Sequence, residues 1–183
     1  MAKISDFKAR MSNGGTRSNQ FKVQVFPPAA LGLQMNDLEV MCSAASLPAV
    51  NVDPITVTYR GRPVNFAGER TFEPWTITII NDMKGNGSDL RSLFESWSGL
   101  IAAYDDSNGT IQPSQYQSGM VVHQLDRNET VLKSYDFFDA YPTSVGQIAL
   151  SYDNPNIETF DVTFVYNYYI PTNAAYVQST SQL

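Results

Sequence analysis

The chain has 183 residues, the size of one domain, and is long enough to bury a core without covalent staples. Its single cysteine and single histidine exclude an intramolecular disulfide and a cysteine metal cluster, and argue against a multi-histidine metal site. Only 16% of residues are charged, against about 25% in an ordinary soluble domain, with a normal 43% apolar content and a net charge of −6; this excludes a basic nucleic-acid footprint and points to an assembly subunit whose surface is largely covered by protein.

In chain order, residues 1–19 are polar, with Ile4, Phe7 and Met11 as the apolar positions. They read either as a mobile terminus or as an arm that docks these three anchors on a neighbouring subunit. The opening is too polar for a signal peptide, and no apolar run approaches the roughly 18 residues of a membrane span. No membrane anchor is therefore expected, and synthesis in a reducing cytoplasm fits. Residues 20–26 alternate Phe21, Val23 and Val25 with polar positions and stop at Pro27-Pro28, which predicts a strand. A second strand is expected over 38–47, ending at Pro48. Residues 55–59 and 64–66 flank Arg60-Gly61-Arg62-Pro63, a turn signal that makes this stretch a hairpin. A further glycine turn is expected at Gly68, before a Thr- and Ile-rich strand over 75–80.

One segment has helical period. Ser88-Asp89 can cap it, and Leu90, Leu93, Phe94, Trp97 and Ile101 fall on one face, with Arg91 and Glu95 paired on the solvent side. Strands resume at 120–125 and 130–138 around the turn Asp126-Arg127-Asn128-Glu129, followed by 147–152 and 158–168. In the last, Phe160, Val162, Phe164, Tyr166 and Tyr168 face one way and Asp161, Thr163 and Asn167 the other, with Val165 the exception. Many strands with one helix and no alternation of the two predict a mainly β chain: an antiparallel β-sandwich or barrel-like fold with one flanking α-helix. The organisation expected is an amino-terminal arm (1–19), a β domain (20–170) and a polar carboxy-terminal tail (171–183).

Catalytic signatures are weak. His123 lies within a strand with no nucleophile-elbow pattern, so a structural role is expected. Cys42 reads as a packed thiol, and Asp105-Asp106 as a solvated turn without calcium-loop spacing. Gly85-Asn86-Gly87-Ser88-Asp89 precedes a helix but lacks the Lys-Ser/Thr ending of a phosphate loop. No cofactor and no enzymatic activity are expected.

Four stretches carry a different kind of signal. They are Cys42-Ser-Ala-Ala-Ser-Leu-Pro48, Ala67-Gly-Glu-Arg-Thr-Phe-Glu-Pro-Trp-Thr-Ile-Thr-Ile-Ile-Asn-Asp82, Tyr141-Pro-Thr-Ser-Val-Gly146 and Glu158-Thr-Phe-Asp-Val-Thr-Phe164. In order and spacing they resemble the tail tube proteins of contractile-tailed bacteriophages over about residues 20–168. The resemblance implies a subunit of the inner tail tube in which six copies form a ring, rings stack, and strands from all six line one continuous barrel. It also implies that the segment 50–66 reaches the adjacent ring, with Val57, Tyr59, Arg60, Arg62, Val64 and Phe66 as inter-ring contacts. The partners implied are other copies of the chain, the tail sheath, tape-measure, baseplate and tail-terminator proteins. Implied too are transient passage of DNA without specific binding, assembly in the host cytoplasm, and residence in the virion tail.

Charge fits this picture. A DNA channel must repel phosphate, so part of the acidity is expected to face the lumen, with Asp161 and Thr163 as candidates. Stacking requires two complementary surfaces per subunit. Residues 1–70 hold eight basic and five acidic side chains, whereas residues 71–183 hold four and thirteen. The alternatives are a tube-initiating baseplate protein or related injection-machine tube, which share the fold, and a soluble carbohydrate-binding sandwich that uses the abundant tyrosines and tryptophans.

Overall fold

A computed structural model describes residues 3–11, 16–32, 41–82, 89–106, 108–110, 112–153 and 155–172. Among the described residues nine strands follow one another: β1 (Phe21–Val25), β2 (Cys42–Ala45), β3 (Asn51–Tyr59), β4 (Arg62–Thr71), β5 (Trp75–Ile80), β6 (Ser118–Leu125), β7 (Val131–Val145), β8 (Thr159–Val165) and β9 (Tyr168–Thr172). The α-helices among the described residues are α1 (Ile4–Arg10), α2 (Leu90–Ile101) and the single turn α3 (Pro113–Tyr116), with a 3-10 turn at Ala29–Leu31. Of the loop read at 85–89 only Asp89 lies among the described residues. The first three positions of the strand expected at 38–47, and the tail beyond Thr172, lie outside them.

All pairing is antiparallel, and β7 belongs to two sheets. Its first half pairs with β6 and β9 in the order β1-β6-β7-β9, and its second half opens the order β7-β8-β5-β2. The corner lies at Asp139, whose φ of 57° is left-handed backbone. Opposite it, Asn167 donates its backbone N–H to the Phe138 carbonyl and its side-chain amide to Asp139 Oδ2 at 3.0 Å. Both strands bend together, and register continues from Pro142↔Phe164 and Tyr141↔Val165 to Phe138↔Tyr168 and Phe137↔Tyr169.

The inward-facing phase switches at that corner. Phe160, Val162, Phe164 and Tyr166 are buried as the alternation predicts, but beyond the bend Tyr169 is buried and Tyr168 is 42% exposed. The expected single strand 158–168 is thus two strands, and Tyr168 does not share the inner face. The strand expected at 130–138 runs on to Val145, and residues 147–152 form no strand. The partner of β8 is the Tyr141-Pro-Thr-Ser-Val run, so 147–152 is left in the β7–β8 connection. Gly68 is no turn either. It lies inside β4 beside the register shift between Val52 and Pro54, where a Cβ would stand 2.3 Å from the Asp53 carbonyl oxygen. Glycine there lets the two backbones approach.

The core fills the space between the two sheets. Val23, Val25, Met120, Val122 and Phe137 come from one, and Trp75, Ile77, Ile79, Phe160, Val162 and Phe164 from the other. Trp75 stacks on Phe137 across the gap, centroids 4.8 Å apart, and donates its indole N–H to the Ser46 carbonyl at 2.7 Å. Helix α2 closes one side of this space. Phe94 meets the rings of Phe160 and Phe164 at 6.2 and 6.0 Å, and Trp97 meets Phe164 at 6.2 Å. Arg91 ties the helix to the start of the β7–β8 connection by donating to the Gly146 carbonyl at 2.6 Å while pairing with Glu95 at 2.7 Å.

Asp89 is the N-cap: its Oδ1 accepts from the Ser92 N–H at 2.9 Å and from the Ser92 hydroxyl. The Ser92 hydroxyl, with the Ser92 N–H and the Asn81 amide, holds the Asp89 carboxyl below its ordinary value. A depressed carboxyl contributes stability above its unfolded pKa, and that contribution is lost as pH falls through the folded value. Asp89→Ala is therefore expected to cost about 1 kcal/mol at neutral pH in urea unfolding, with the difference from the parent shrinking below about pH 4. Phe94, fully buried among aromatic rings, is expected to cost about 3–5 kcal/mol when replaced by alanine, measured the same way.

Candidate functional site

The β3–β4 hairpin stands apart from the two main sheets as its own two-stranded sheet. Its cross-strand pairs sort its side chains cleanly. Ile55↔Phe66, Val57↔Val64 and Tyr59↔Arg62 share one face, whereas Thr56↔Asn65 and Thr58↔Pro63 share the other. The first face is apolar and open to solvent: Ile55, Val57, Tyr59, Val64 and Phe66 are between 41% and 64% exposed. On the second, the Thr56 hydroxyl donates to Asn65 Oδ1 at 2.8 Å.

Arg60 and Gly61 make the tip, with φ of 48° and 76° respectively, the left-handed pair of a two-residue hairpin turn. The Arg60 guanidinium lies over the Tyr59 ring, 5.4 Å from its centroid, and Arg62 is the cross-strand partner of Tyr59. All six residues expected at an inter-ring contact thus fall on this hairpin, Val57, Tyr59, Arg62, Val64 and Phe66 on its open face and Arg60 at its tip. Ile55 belongs with them; it shares the parity of Val57 and Tyr59, the signal that identifies it. The base is anchored in the core. Tyr169 donates its hydroxyl to the Ala49 carbonyl at 3.2 Å, Phe72 meets the rings of Tyr166 and Tyr169, and Asn51 donates to Glu73 at 2.8 Å. Burial pushes the Tyr166 and Tyr169 hydroxyl pKa values up, so both stay protonated in this base.

Asp161 and Thr163 lie on the outer face of the β7-β8-β5-β2 sheet. The Thr78 hydroxyl donates to Asp161 Oδ1 at 2.7 Å, Thr76 and Thr163 hydroxyls are 3.0 Å apart, and Ser43 donates to the Thr78 carbonyl at 3.2 Å. Strands β2, β5 and β8 and residues 139–145 of β7 contain no Lys, Arg or His. The face is therefore a field of short hydroxyls around the Asp161 carboxylate, and these segments carry no cation to hold a phosphate.

Residues 4–10 form helix α1, with Ile4, Phe7 and Met11 exposed at one-face spacing. Seven residues are too few for a helix to be stable alone in water. His123 is engaged at both ring nitrogens, by Ser134 Oγ at 2.8 Å and Gln24 Oε1 at 3.3 Å, on neighbouring strands. Cys42 is half-buried, and burial pushes its thiol pKa up to about 11, the opposite of nucleophile activation. Trp75 and Trp97 are buried, so neither offers a ring face to a sugar.

Sequence reasoning missed a second exposed apolar group. Leu150, Tyr152 and Ile157, in the β7–β8 connection, project into solvent beside a cavity of about 740 Å³. The strand expected at 147–152 hid Leu150 and Tyr152, and Ile157 fell between two expected strands.

Residues 16–172 match the family model described as phage tail tube protein. The chain is 33% identical over 164 residues to tail tube protein gp19 of Enterobacteria phage T4, covering 88% of this chain and 95% of that protein. It is 30% identical over 154 residues to the tail tube protein of Serratia phage KSP90, covering 82% and 85%. Its fold is similar to a chain of the sheath–tube complex of an extracellular contractile injection system in the extended state (TM-score 0.60, 15% identity, 94% and 99% covered). A chain of the anti-feeding prophage baseplate is similar as well (TM-score 0.64, 10% identity, 88% and 98% covered). By sequence over most of its length, and by its antiparallel fold, the chain belongs to the phage tail tube protein family, a structural component of the virion tail.

Proposed function

We propose that the chain builds the inner tube of a contractile tail as stacked hexameric rings, without catalysis and without a cofactor. The observation that carries this reading is the hairpin. A two-stranded sheet is at best marginally stable alone, and this one exposes five large apolar side chains on a single face. Such a face needs a protein cover. Val57, Tyr59, Val64 and Phe66 supply the apolar contact to the adjacent ring, while Arg60 and Arg62 supply charge at its tip.

Within a ring, Ile4, Phe7 and Met11 of the amino-terminal arm (1–19) dock on the neighbouring subunit, which also stabilises a helix too short to persist by itself. The β domain expected over 20–170, which β9 carries on to Thr172, forms the wall, with the sheet face bearing Asp161 and Thr163 towards the lumen. A lumen of hydroxyls and carboxylates repels phosphate and lets DNA pass after the tape-measure protein without specific binding. Sheath, baseplate and tail-terminator proteins are the further partners, and assembly takes place in the host cytoplasm.

Arg60→Glu with Arg62→Glu is expected to leave the monomer folded by circular dichroism and to abolish tubes in negative-stain electron micrographs. Tubes of normal length from that double variant would contradict the proposal. Asp161 is expected to face the channel in a cryo-EM reconstruction of the tube, and Asp161→Lys to slow DNA passage in particles that still assemble. Finding Asp161 on the outer wall would overturn the lumen assignment.

A further inference from the structure

The hairpin and the β7–β8 connection leave the same sheet at opposite ends. In β5, Trp75 is opposite Phe164 and Ile80 is opposite Thr159. The hairpin departs beside Trp75, whose indole is bonded to Ser46, and returns just before it. The β7–β8 connection instead ends at Thr159, next to Ile80, where Asn81 donates its N–H to the Glu158 carbonyl at 2.9 Å and its side-chain amide to Glu158 Oε2 at 3.1 Å. The seven residues of β8 put about 20 Å of sheet between the two.

We infer that the β7–β8 connection is the acceptor into which the hairpin of a second copy docks, an inference that rests on the ring-stacking reading. Each surface is apolar and uncovered. The hairpin offers Ile55, Val57, Tyr59, Val64 and Phe66; the connection offers Leu150, Tyr152 and Ile157 around a cavity of about 740 Å³ also lined by Gln147, Ile148 and Glu158. Leu150 is 81% exposed, more than any hairpin residue of that face.

Charge decides the pairing. The hairpin tip carries Arg60 and Arg62, whereas the connection carries Asp153 and Glu158, and no Lys, Arg or His occurs anywhere in residues 134–183. Hairpin against hairpin would set the arginines of two copies together, and connection against connection would do the same with carboxylates. Only the unlike pairing joins opposite charges and covers both apolar groups. Because the two surfaces sit at opposite ends of one sheet, the contact is head to tail, and repeating it stacks copies along the strand direction without limit.

The test uses the full chain with Cys42→Ser. Chains bearing Val57→Cys and Leu150→Cys, mixed under mild oxidation, are expected to give a disulfide-linked heterodimer on a non-reducing gel, with little homodimer of either. In parallel, Leu150→Ser with Tyr152→Ser, at exposed positions, is expected to keep the monomer's circular dichroism and lose tubes in electron micrographs. Absence of the heterodimer, or normal tubes from the Leu150→Ser/Tyr152→Ser chain, overturns the acceptor assignment. The ring-stacking reading is tested separately by Val57→Asp with Val64→Asp. If that hairpin variant forms no tubes while the connection variant does, stacking by the hairpin stands and only the acceptor is wrong. If the hairpin variant assembles as the parent does, the stacking reading itself fails and the inference with it.

Discussion

The structure depends on one strand serving two sheets. β7 runs for 15 residues and turns at Asp139, carrying the β8–β9 line with it in register across the corner, from Pro142↔Phe164 to Phe137↔Tyr169. An ordinary strand presents alternate residues to one face throughout. Here the left-handed residue resets the phase, so Phe137 before the bend and Ala140 and Pro142 after it all point inward. That reset lets both halves of β7 line the same core. It brings Phe137 of one sheet onto Trp75 of the other, and it leaves a gap that the Phe94 and Trp97 rings of α2 fill.

Because the core is complete without them, the hairpin and the β7–β8 connection contribute little to its burial. They are held at their roots, the hairpin by Tyr169, Phe72 and Trp75 and the connection by Asn81 and the Arg91 bond at Gly146. A rigid body with two anchored, apolar projections at opposite ends is suited to polymerisation, since ordering cost is largely met before the copies meet. The low charged fraction of the chain follows from the same division. Surface that a free-standing domain would cover with charge is occupied in this chain by Ile55, Phe66, Leu150 and Tyr152.

Much of this was legible in the sequence, for reasons that can be named. Helix α2 is readable because Leu90, Phe94 and Trp97 recur at helical spacing after a capping Asp89, and each of those three is buried. The hairpin is readable at its tip because Arg60-Gly61 is a turn pair, although the strands extend to Asn51 and Thr71, well beyond the apolar residues that signal them. Illegible were features set by partners distant in sequence. The run 147–152 has strand-like residues but no strand beside it, since β8 is taken by residues 141–145. Gly68 suggests a turn, yet its role is to admit the Asp53 carbonyl from the opposite strand. Tyr168 continues the apolar alternation of Phe160, Val162, Phe164 and Tyr166 and still faces out, because the chain bends at Asn167.

The features that the residues specify unaided are therefore local: the strands' alternation, the helix and its cap, the turn at Arg60-Gly61, and four stretches whose order marks the family. Those signals are carried by neighbours within a few residues, where period and backbone preference act directly. Long-range packing settled which strands share β7, that the inward phase switches at Asp139, and that the basic hairpin and the acidic connection lie at opposite ends of one sheet. Such features depend on contacts between distant parts of the chain, 22 residues apart for Asn51 with Glu73 and 120 for Tyr169 with Ala49. No local pattern encodes such pairings, because it is the packing of the assembled core that selects among them.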